Sequence, residues 1–206
     1  MKWLKHNFIR LVVHLFACSL LYRMINFAVS REFSQDVMET LTRLSGEWAL
    51  KWLLFSLACT PLYTLLGWRK QLAVRKVTGL YAFFFGSAHL LFYDGQYRFN
   101  VGETWIAIWT EARLAIGLIA LVILISMAMT SNRWAMHRLK KNWKRLHRTV
   151  YVCGILSVVH TLLYLKAGGE VFVYVFLLSL FLILRIPPVK KKLTLARLSY
   201  HVSIDT

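Results

Sequence analysis

The stretch RLHRTVYVCGILSVVHTLLY, residues 145–164, has the composition of a membrane-spanning helix and yet contains two histidines. Val, Leu, Ile and Tyr dominate it, and its length matches the roughly 20 residues that a bilayer requires. An ionisable ring inside a bilayer costs free energy, so such residues usually face the protein interior and serve a function. The stretch therefore predicts one helix of a membrane bundle and directs attention to His147 and His160.

The whole chain has the composition of a polytopic membrane protein. Hydrophobic residues make up 58% of its 206 residues, and charged residues make up only 17%. A soluble domain of this length could not bury so much apolar surface. The net charge of +17 would suggest nucleic-acid binding in a soluble protein, but basic loops beside membrane helices explain it better. We therefore expect a single domain, residues 1–206, that lies in a lipid bilayer and binds no nucleic acid.

Six apolar segments approach the length of a membrane-spanning helix. They cover residues 11–29, 47–66, 74–93, 112–130, 148–165 and 170–186. With the N-terminus placed in the cytoplasm, the inner segments hold most of the 26 Lys and Arg residues. All nine acidic residues except Asp205 then lie on the outer side. The positive-inside rule thus predicts an all-α bundle of six transmembrane helices with both termini in the cytoplasm.

The segments between the spans are short and differ in character. Residues 30–47 are polar and are expected to be partly helical, and residues 94–110 form the second outer loop. The inner loop at 131–146 intersperses Trp and Leu among many bases, which predicts one amphipathic helix on the anionic inner leaflet. Pro187 and Pro188 are expected to end the last span ahead of a basic tail.

Four of the seven histidines lie in or at the ends of predicted spans: His14, His89, His147 and His160. A buried neutral imidazole can serve as an axial ligand to haem iron, although any single histidine could instead be a hydrogen-bonded core residue. His89 and His160 each lie about 12 to 15 residues past the inner end of an outward-running span, roughly 20 Å of helical rise. We therefore expect these two rings to meet in the outer half of the membrane and to bind a b-type haem.

A second, inner site stays open on the sequence alone. His147 begins the fifth span and His14 begins the first, at similar depth. At about 100° per residue, His147 and His160 lie roughly 140° apart around a straight helix. They must address separate sites unless the helix is distorted near Gly154, and the sequence favours neither arrangement.

A stripe of small residues leads up to His89. Gly79, Ala82, Gly86 and His89 are spaced by 3, 4 and 3 positions, which places them on one helix face. Small residues allow a planar macrocycle to approach the backbone, but they equally allow close packing of a neighbouring helix. Both interpretations stay open.

Two arginines and one ion pair complete the set of candidate polar residues. Arg75 and Arg113 lie at the inner and outer edges of their spans, where they could neutralise haem propionates or simply extend to the interface. Glu47 and Lys51 are four positions apart on the second span and are expected to pair with each other.

Motifs for other redox chemistry are missing from the sequence. There is no C-x-x-C-H, which excludes covalent c-type haem attachment, and all three cysteines fall within predicted spans. There is also no glycine-rich nucleotide-binding loop. If the chain moves electrons, it must receive them from another molecule. No internal repeat is evident.

Four stretches that cover most of the chain carry the histidine pattern and its helical setting. They are GEWALKWLLFSLACTPL (46–62), RKVTGLYAFFFGSAHLLFY (75–93), LAIGLIALVILISMAMTSN (114–132) and WKRLHRTVYVCGILSVVH (143–160). In order and spacing they resemble the MsrQ family, the haem-binding membrane subunits of periplasmic methionine sulfoxide reductase systems. The resemblance implies a ferric-reductase-like core at about 47–165 and a location in the bacterial inner membrane.

The resemblance also implies a function. It implies His89, His147 and His160 as haem histidines, quinol or flavin reduced by a cytoplasmic flavin reductase as electron donor, and the molybdopterin-containing reductase MsrP as periplasmic acceptor. Some members of the family carry FMN. NADPH-oxidase-type relatives have two histidines on each of two helices, whereas the third span of this chain has only one, with Arg75 fourteen positions before His89. The number of haems b, one or two, and the ligands of an inner haem therefore stay open.

The function predicted from the sequence is electron transfer through a b-type cytochrome subunit to a methionine sulfoxide reductase that repairs oxidised periplasmic proteins. One alternative is a ferric-reductase-like or quinone-linked cytochrome with another acceptor. A second alternative, from a different class, is a small proton-coupled transporter whose buried histidines relay protons. A third is a non-catalytic assembly subunit.

Overall fold

A computed structural model describes residues 2–31, 34–67, 70–165 and 169–204, which form ten α-helices and contain no strand. The helices are α1 (Lys2–Ser30), α2 (Gln35–Leu66), α3 (Lys70–Gln96), α4 (Val101–Thr110), α5 (Ala112–Met129), α6 (Arg133–Leu139), α7 (Lys141–Arg148), α8 (Val150–Leu165), α9 (Gly169–Ile183) and α10 (Pro187–Ile204). The predicted all-α class is confirmed.

Four helices in the described part of the chain are long and apolar enough to cross a membrane. They are Phe8–Ser30, Gln35–Leu66, Ala112–Met129 and Lys141–Tyr164. A fifth span results if α9 and α10, which are bent by 78° relative to each other, count as one broken span. The expected span at 74–93 lies within α3, where tyrosines, glycines and a histidine dilute the apolar residues. The number of six spans therefore stays a prediction.

Helices α2 and α3 form an antiparallel pair along most of their length. Near one end, Ser56 Oγ donates a hydrogen bond to the carbonyl of Arg75 at 2.9 Å. Near the other, Gln96 Nε2 donates to Thr42 Oγ1 at 2.8 Å. Gly67 ends α2 with φ 71°, a left-handed conformation that glycine adopts without steric cost.

Helices α5 and α8 form a second antiparallel pair, and the core lies where the two pairs meet. The ring of His160 bonds to the carbonyl of Arg113 at the start of α5, and the ring of His147 bonds to Thr130 just beyond its end. The contact surfaces between the pairs are apolar and almost closed to solvent. Core side chains with at most 2% exposure include Leu53, Leu57, Phe85 and Cys153.

Two predictions for the connecting segments are wrong in detail, and one is confirmed. As expected, residues 30–47 are partly helical: α2 begins at Gln35, where Ser34 accepts a hydrogen bond from the Val37 N–H and caps the helix. The expected outer loop at 94–110 contains helix α4. The single amphipathic helix expected at 131–146 is broken at Lys140. Its φ of 47° is not helical and separates α6 from α7.

The C-terminal segment is a helix attached to α2 rather than an irregular tail. Pro187 begins α10, since proline fits the first turn of a helix, and α9 already ends at Ile183. Pro61 has no N–H to donate to the Leu57 carbonyl, and the Arg185 guanidinium donates to it instead. Arg197 of α10 donates to two carbonyls of the last turn of α2, at 2.7 and 3.2 Å. These bonds hold α10 against one end of the bundle.

Candidate functional site

The structure brings together His89 of α3 and His160 of α8. Their ring centroids lie 6.0 Å apart, and the ring planes are inclined at 86°. His89 Nδ1 lies 2.8 Å from the carbonyl oxygen of Thr42, and His160 Nδ1 lies 2.7 Å from that of Arg113. A carbonyl can only accept, so each Nδ1 carries the proton and each Nε2 keeps its lone pair. Both rings are thus prepared as neutral ligands and are oriented by the backbone of a neighbouring helix.

The separation of the rings fits a metal placed between them. An imidazole nitrogen lies about 2 Å from a bound transition metal, so two opposed ligands place their ring centres about 6 Å apart. Among the residues that the structure describes, no group of three or more His, Cys, Asp or Glu could hold a bare metal ion. Two imidazoles alone suit an iron whose four other ligands come from a porphyrin.

Two glycines make room for these rings. A Cβ atom on Gly46 would lie 2.7 Å from His89 Nδ1, and one on Gly117 would lie 2.8 Å from His160 Nδ1. Gly46 lies four positions after Thr42, and Gly117 lies four positions after Arg113. Thr42 and Arg113 are the residues whose carbonyls accept hydrogen bonds from the rings. Without a Cβ, the helix lets the imidazole reach that carbonyl. Neither glycine was predicted as a site residue, because a glycine within a helix carries no sequence signal for a histidine that packs against it.

The two halves of the site are related by an internal repeat. Gly117 follows Gly46 by the same 71 positions (117 − 46) that separate His160 from His89 (160 − 89). Other residues that line the cavity around the rings obey the same offset and are identical. These pairs are Ala49 and Ala120, Leu50 and Leu121, Leu53 and Leu124, and Tyr93 and Tyr164. The sequence alone did not make the repeat evident, because the identities are few and become visible only around the site.

The cavity around the rings, the outer cavity, is apolar inside and polar at its rim. Arg43 and Arg113 both line it, and Arg113 Nε pairs with Glu111 at 2.5 Å. Glu47 also lines the outer cavity and, as predicted, pairs with Lys51. Arg43 was not foreseen as a site residue because it lies in the polar segment 30–47, outside the predicted spans.

A second cavity of about 570 Å³, the inner cavity, lies toward the opposite ends of the same helices. His147 lines it, with Nε2 3.1 Å from Thr130 Oγ1 and with its ring stacked on Trp143 at a centroid distance of 4.1 Å. Of the described residues, none that lines the inner cavity is acidic. The basic side chains that line it are Arg75, Lys76, Arg133, Lys144 and Arg148. His147 and His160 therefore address separate cavities.

His14 lies apart from both cavities. Its exposed ring bonds through Nδ1 to the hydroxyl of Tyr81 at 2.7 Å, with the two rings edge to face. The residues described as lining the outer and inner cavities do not include it. The structure thus does not bring His14 together with His147, although both were expected to begin spans at similar depth.

Known proteins resemble this chain in sequence. A family model described as "Ferric reductase like transmembrane component" matches residues 45–158. The protein-methionine-sulfoxide reductase heme-binding subunit MsrQ of Rhodospirillum rubrum is 38% identical over 167 residues, which is 80% of each chain. MsrQ of Bordetella pertussis is 38% identical over 62% of each chain, and that of Xanthomonas euvesicatoria pv. vesicatoria is 37% identical over 61% of this chain and 58% of its own.

No solved structure matches the chain. The aligned region covers less than two thirds of the Bordetella and Xanthomonas relatives but four fifths of the Rhodospirillum relative. The family match extends from Ser45 to Val158, across both glycines and His89, and the Rhodospirillum alignment spans most of the chain. The chain belongs to the MsrQ family of heme-binding subunits, within the ferric-reductase-like transmembrane proteins.

Proposed function

We propose that this chain is the electron-transfer subunit of a methionine sulfoxide reductase system and binds one haem b between His89 and His160. The observation that carries the proposal is the pair of opposed neutral imidazoles, each fixed through Nδ1 to a backbone carbonyl. A haem bound there supplies one-electron redox chemistry. The chain supplies two rigid ligands that need not reorganise between oxidation states.

The remaining side chains of the outer cavity orient and neutralise such a group. The guanidinium groups of Arg43 and Arg113, at its polar rim, are suited to pair with two carboxylates. The leucines and alanines deeper in the cavity exclude water and keep the local dielectric low, which tunes the redox potential. Arg75, the other arginine considered for this role, lines the inner cavity instead.

The inner cavity is our proposed position for the donor side of the pathway. Its volume of about 570 Å³ falls in the range of small-molecule sites, about 300–1,000 Å³. Five cations and Trp143 favour an anionic planar ligand, such as FMN. A second haem in this cavity would have only one imidazole ligand, His147. Arg75 stands on α3 in place of the second histidine of NADPH-oxidase-type relatives. The donor would be either quinol or a flavin that a cytoplasmic flavin reductase has reduced.

A further observation supports an anion near the inner cavity. Arg185 donates to the hydroxyl of Tyr151, which lines that cavity, at 2.9 Å. Its Nε is buried and has no hydrogen-bond partner among the described residues. A buried unsatisfied donor costs about 1–3 kcal/mol, so an anion or a water bound beside it would be stabilising.

We further propose six spans in a bacterial inner membrane, with both termini cytoplasmic and a periplasmic, MsrP-like molybdopterin reductase as acceptor. In support, α3 runs antiparallel to the membrane-length helix α2 from Arg75 to Gln96, roughly 30 Å of rise. The cations that line the inner cavity lie opposite the end that holds the histidine pair, as the positive-inside rule requires for an outer haem.

The test is the visible spectrum of the purified protein together with a pyridine haemochrome assay. We expect Soret and α bands of haem b, with low-spin signals in electron paramagnetic resonance that report two nitrogen ligands. His14→Ala serves as the matched control for His89→Ala, since its ring lies outside the cavity. A folded, membrane-inserted protein that takes up no haem would refute the proposal.

A further inference from the structure

The outer and inner cavities meet at two leucines. In the described part of the chain, Leu53 of α2 and Leu124 of α5 are the residues common to the linings of both cavities. They are 2% and 7% exposed, and they are equivalent positions of the internal repeat. A Cβ atom on Gly86 would lie 3.7 Å from Leu124 Cδ1, an ordinary van der Waals contact, so Leu124 packs close to α3 at this level.

The other two helices are also apolar at this level. On α3 the inner lining ends at Leu80 and the outer lining begins at Gly86; Ala82, between them, is 0% exposed. On α8 the equivalent position is Cys153, which is also 0% exposed and whose thiol is directed to a backbone carbonyl of α5. We call the four side chains of Leu53, Leu124, Ala82 and Cys153 the central wall.

We infer that the central wall separates the two cavities with a dry apolar layer, so that electrons cross the protein while protons and water do not. A cavity holds water only when it offers room and about two to four polar partners, and the central wall offers almost none. A proton needs a continuous chain of hydrogen-bonding groups, whereas an electron tunnels through a thin apolar layer. Since the cavities lie toward opposite membrane faces, a wet connection would dissipate the proton gradient.

This inference goes beyond the proposed electron transfer and rests on it only for the orientation across the membrane. Its prediction concerns the two leucines specifically. Replacing both by serine removes most of the wall and adds two hydroxyl groups at the narrowest point. The two cavities then join, and waters gain the polar partners that they lack in the wild type.

The experiment measures proton entry into liposomes that contain the protein, with an internal pH-sensitive dye and a potential imposed by potassium and valinomycin. Leu53→Ser with Leu124→Ser is expected to raise the rate of proton entry by about tenfold or more over the wild type. The matched control is Leu50→Ser with Leu121→Ser. These leucines are also repeat-equivalent and buried, at 4% and 8% exposure, but they line only the outer cavity.

The control pair should leave proton entry at the wild-type rate, as should the conservative pair Leu53→Met with Leu124→Met. Equal proton leakage from both serine pairs, or proton leakage from neither, would overturn the inference that the central wall blocks protons. If the serine pair does not insert, Leu53→Ala with Leu124→Ala takes its place under the same criteria. The haem spectrum of each sample is recorded in parallel. A colourless wild type that does not leak would refute the proposed function and leave the wall intact.

Discussion

Adding one methyl group at Gly46 or Gly117 should weaken haem binding without unfolding the protein. In Gly46→Ala the new Cβ would lie 2.7 Å from His89 Nδ1, whereas non-bonded heavy atoms prefer about 3.5–4.0 Å. The ring must therefore move by about 1 Å. That movement breaks the 2.8 Å bond to the Thr42 carbonyl, which orients the ring.

Two opposing effects set the magnitude. Loss of the bond that orients a ligating histidine typically lowers metal affinity by about 10- to 100-fold. Alanine in a helix interior is more stable than glycine by about 0.5–1 kcal/mol, so the helix itself gains stability. We therefore expect Gly46→Ala and Gly117→Ala to insert at wild-type levels and to bind haem about 10- to 100-fold more weakly.

The assay is titration of haem into detergent-solubilised apoprotein, followed at the Soret band. Gly79→Ala is the control, because its Cβ would lie 3.4 Å from Ser56 Oγ, an ordinary contact away from both rings. Wild-type affinity in both site variants would contradict the role assigned to the two glycines. An equal loss in Gly79→Ala would show that any added methyl group on these helices disturbs haem binding.

Three further predictions follow from the same structure. His89→Ala and His160→Ala should each abolish the outer haem while His147→Ala retains it, as read from the haem spectrum; equal loss in all three would argue against separate cavities. Arg185→Met should lower stability by about 1–3 kcal/mol, measured as a fall in Tm, by leaving the Leu57 carbonyl unsatisfied, whereas the exposed Lys191→Met should not. A reporter of cytoplasmic location fused after residue 206 should be active, and alkaline phosphatase, a reporter of periplasmic location, should be inactive there. The reverse result would overturn the topology.

The histidine pair was predictable because helical rise is regular. His89 and His160 lie at similar distances from the starts of two long apolar segments, and a fixed rise per residue converts those distances into equal depth. The Glu47–Lys51 pair was predictable for the same reason, since positions four apart share a helix face. Features that follow from helix geometry alone could therefore be read from the sequence.

Features that depend on contacts between helices could not be read from the sequence. Nothing in the sequence near Gly46 shows that a histidine 43 positions away packs against it (89 − 46). The break at Lys140 requires a positive φ that lysine rarely adopts, so its sequence context indicated a continuous helix. Helix α3 is the converse case: its site-forming small and polar residues reduce the apolar character by which a span is recognised.

The internal repeat limits what the inner cavity can be. At the outer site the repeat is exact in its key residues, since His89 and His160 are equivalent and so are Gly46 and Gly117. At the inner site it fails, because the position equivalent to His147 is Lys76 (147 − 76 gives the same offset). The symmetry that supplies two opposed imidazoles outside therefore supplies one imidazole and one ammonium inside. A lysine beside four other cations repels a metal ion but attracts phosphate or carboxylate groups, so the inner cavity is not a second copy of the outer site. The repeat thus favours an anionic ligand there, on the side of the central wall away from the histidine pair.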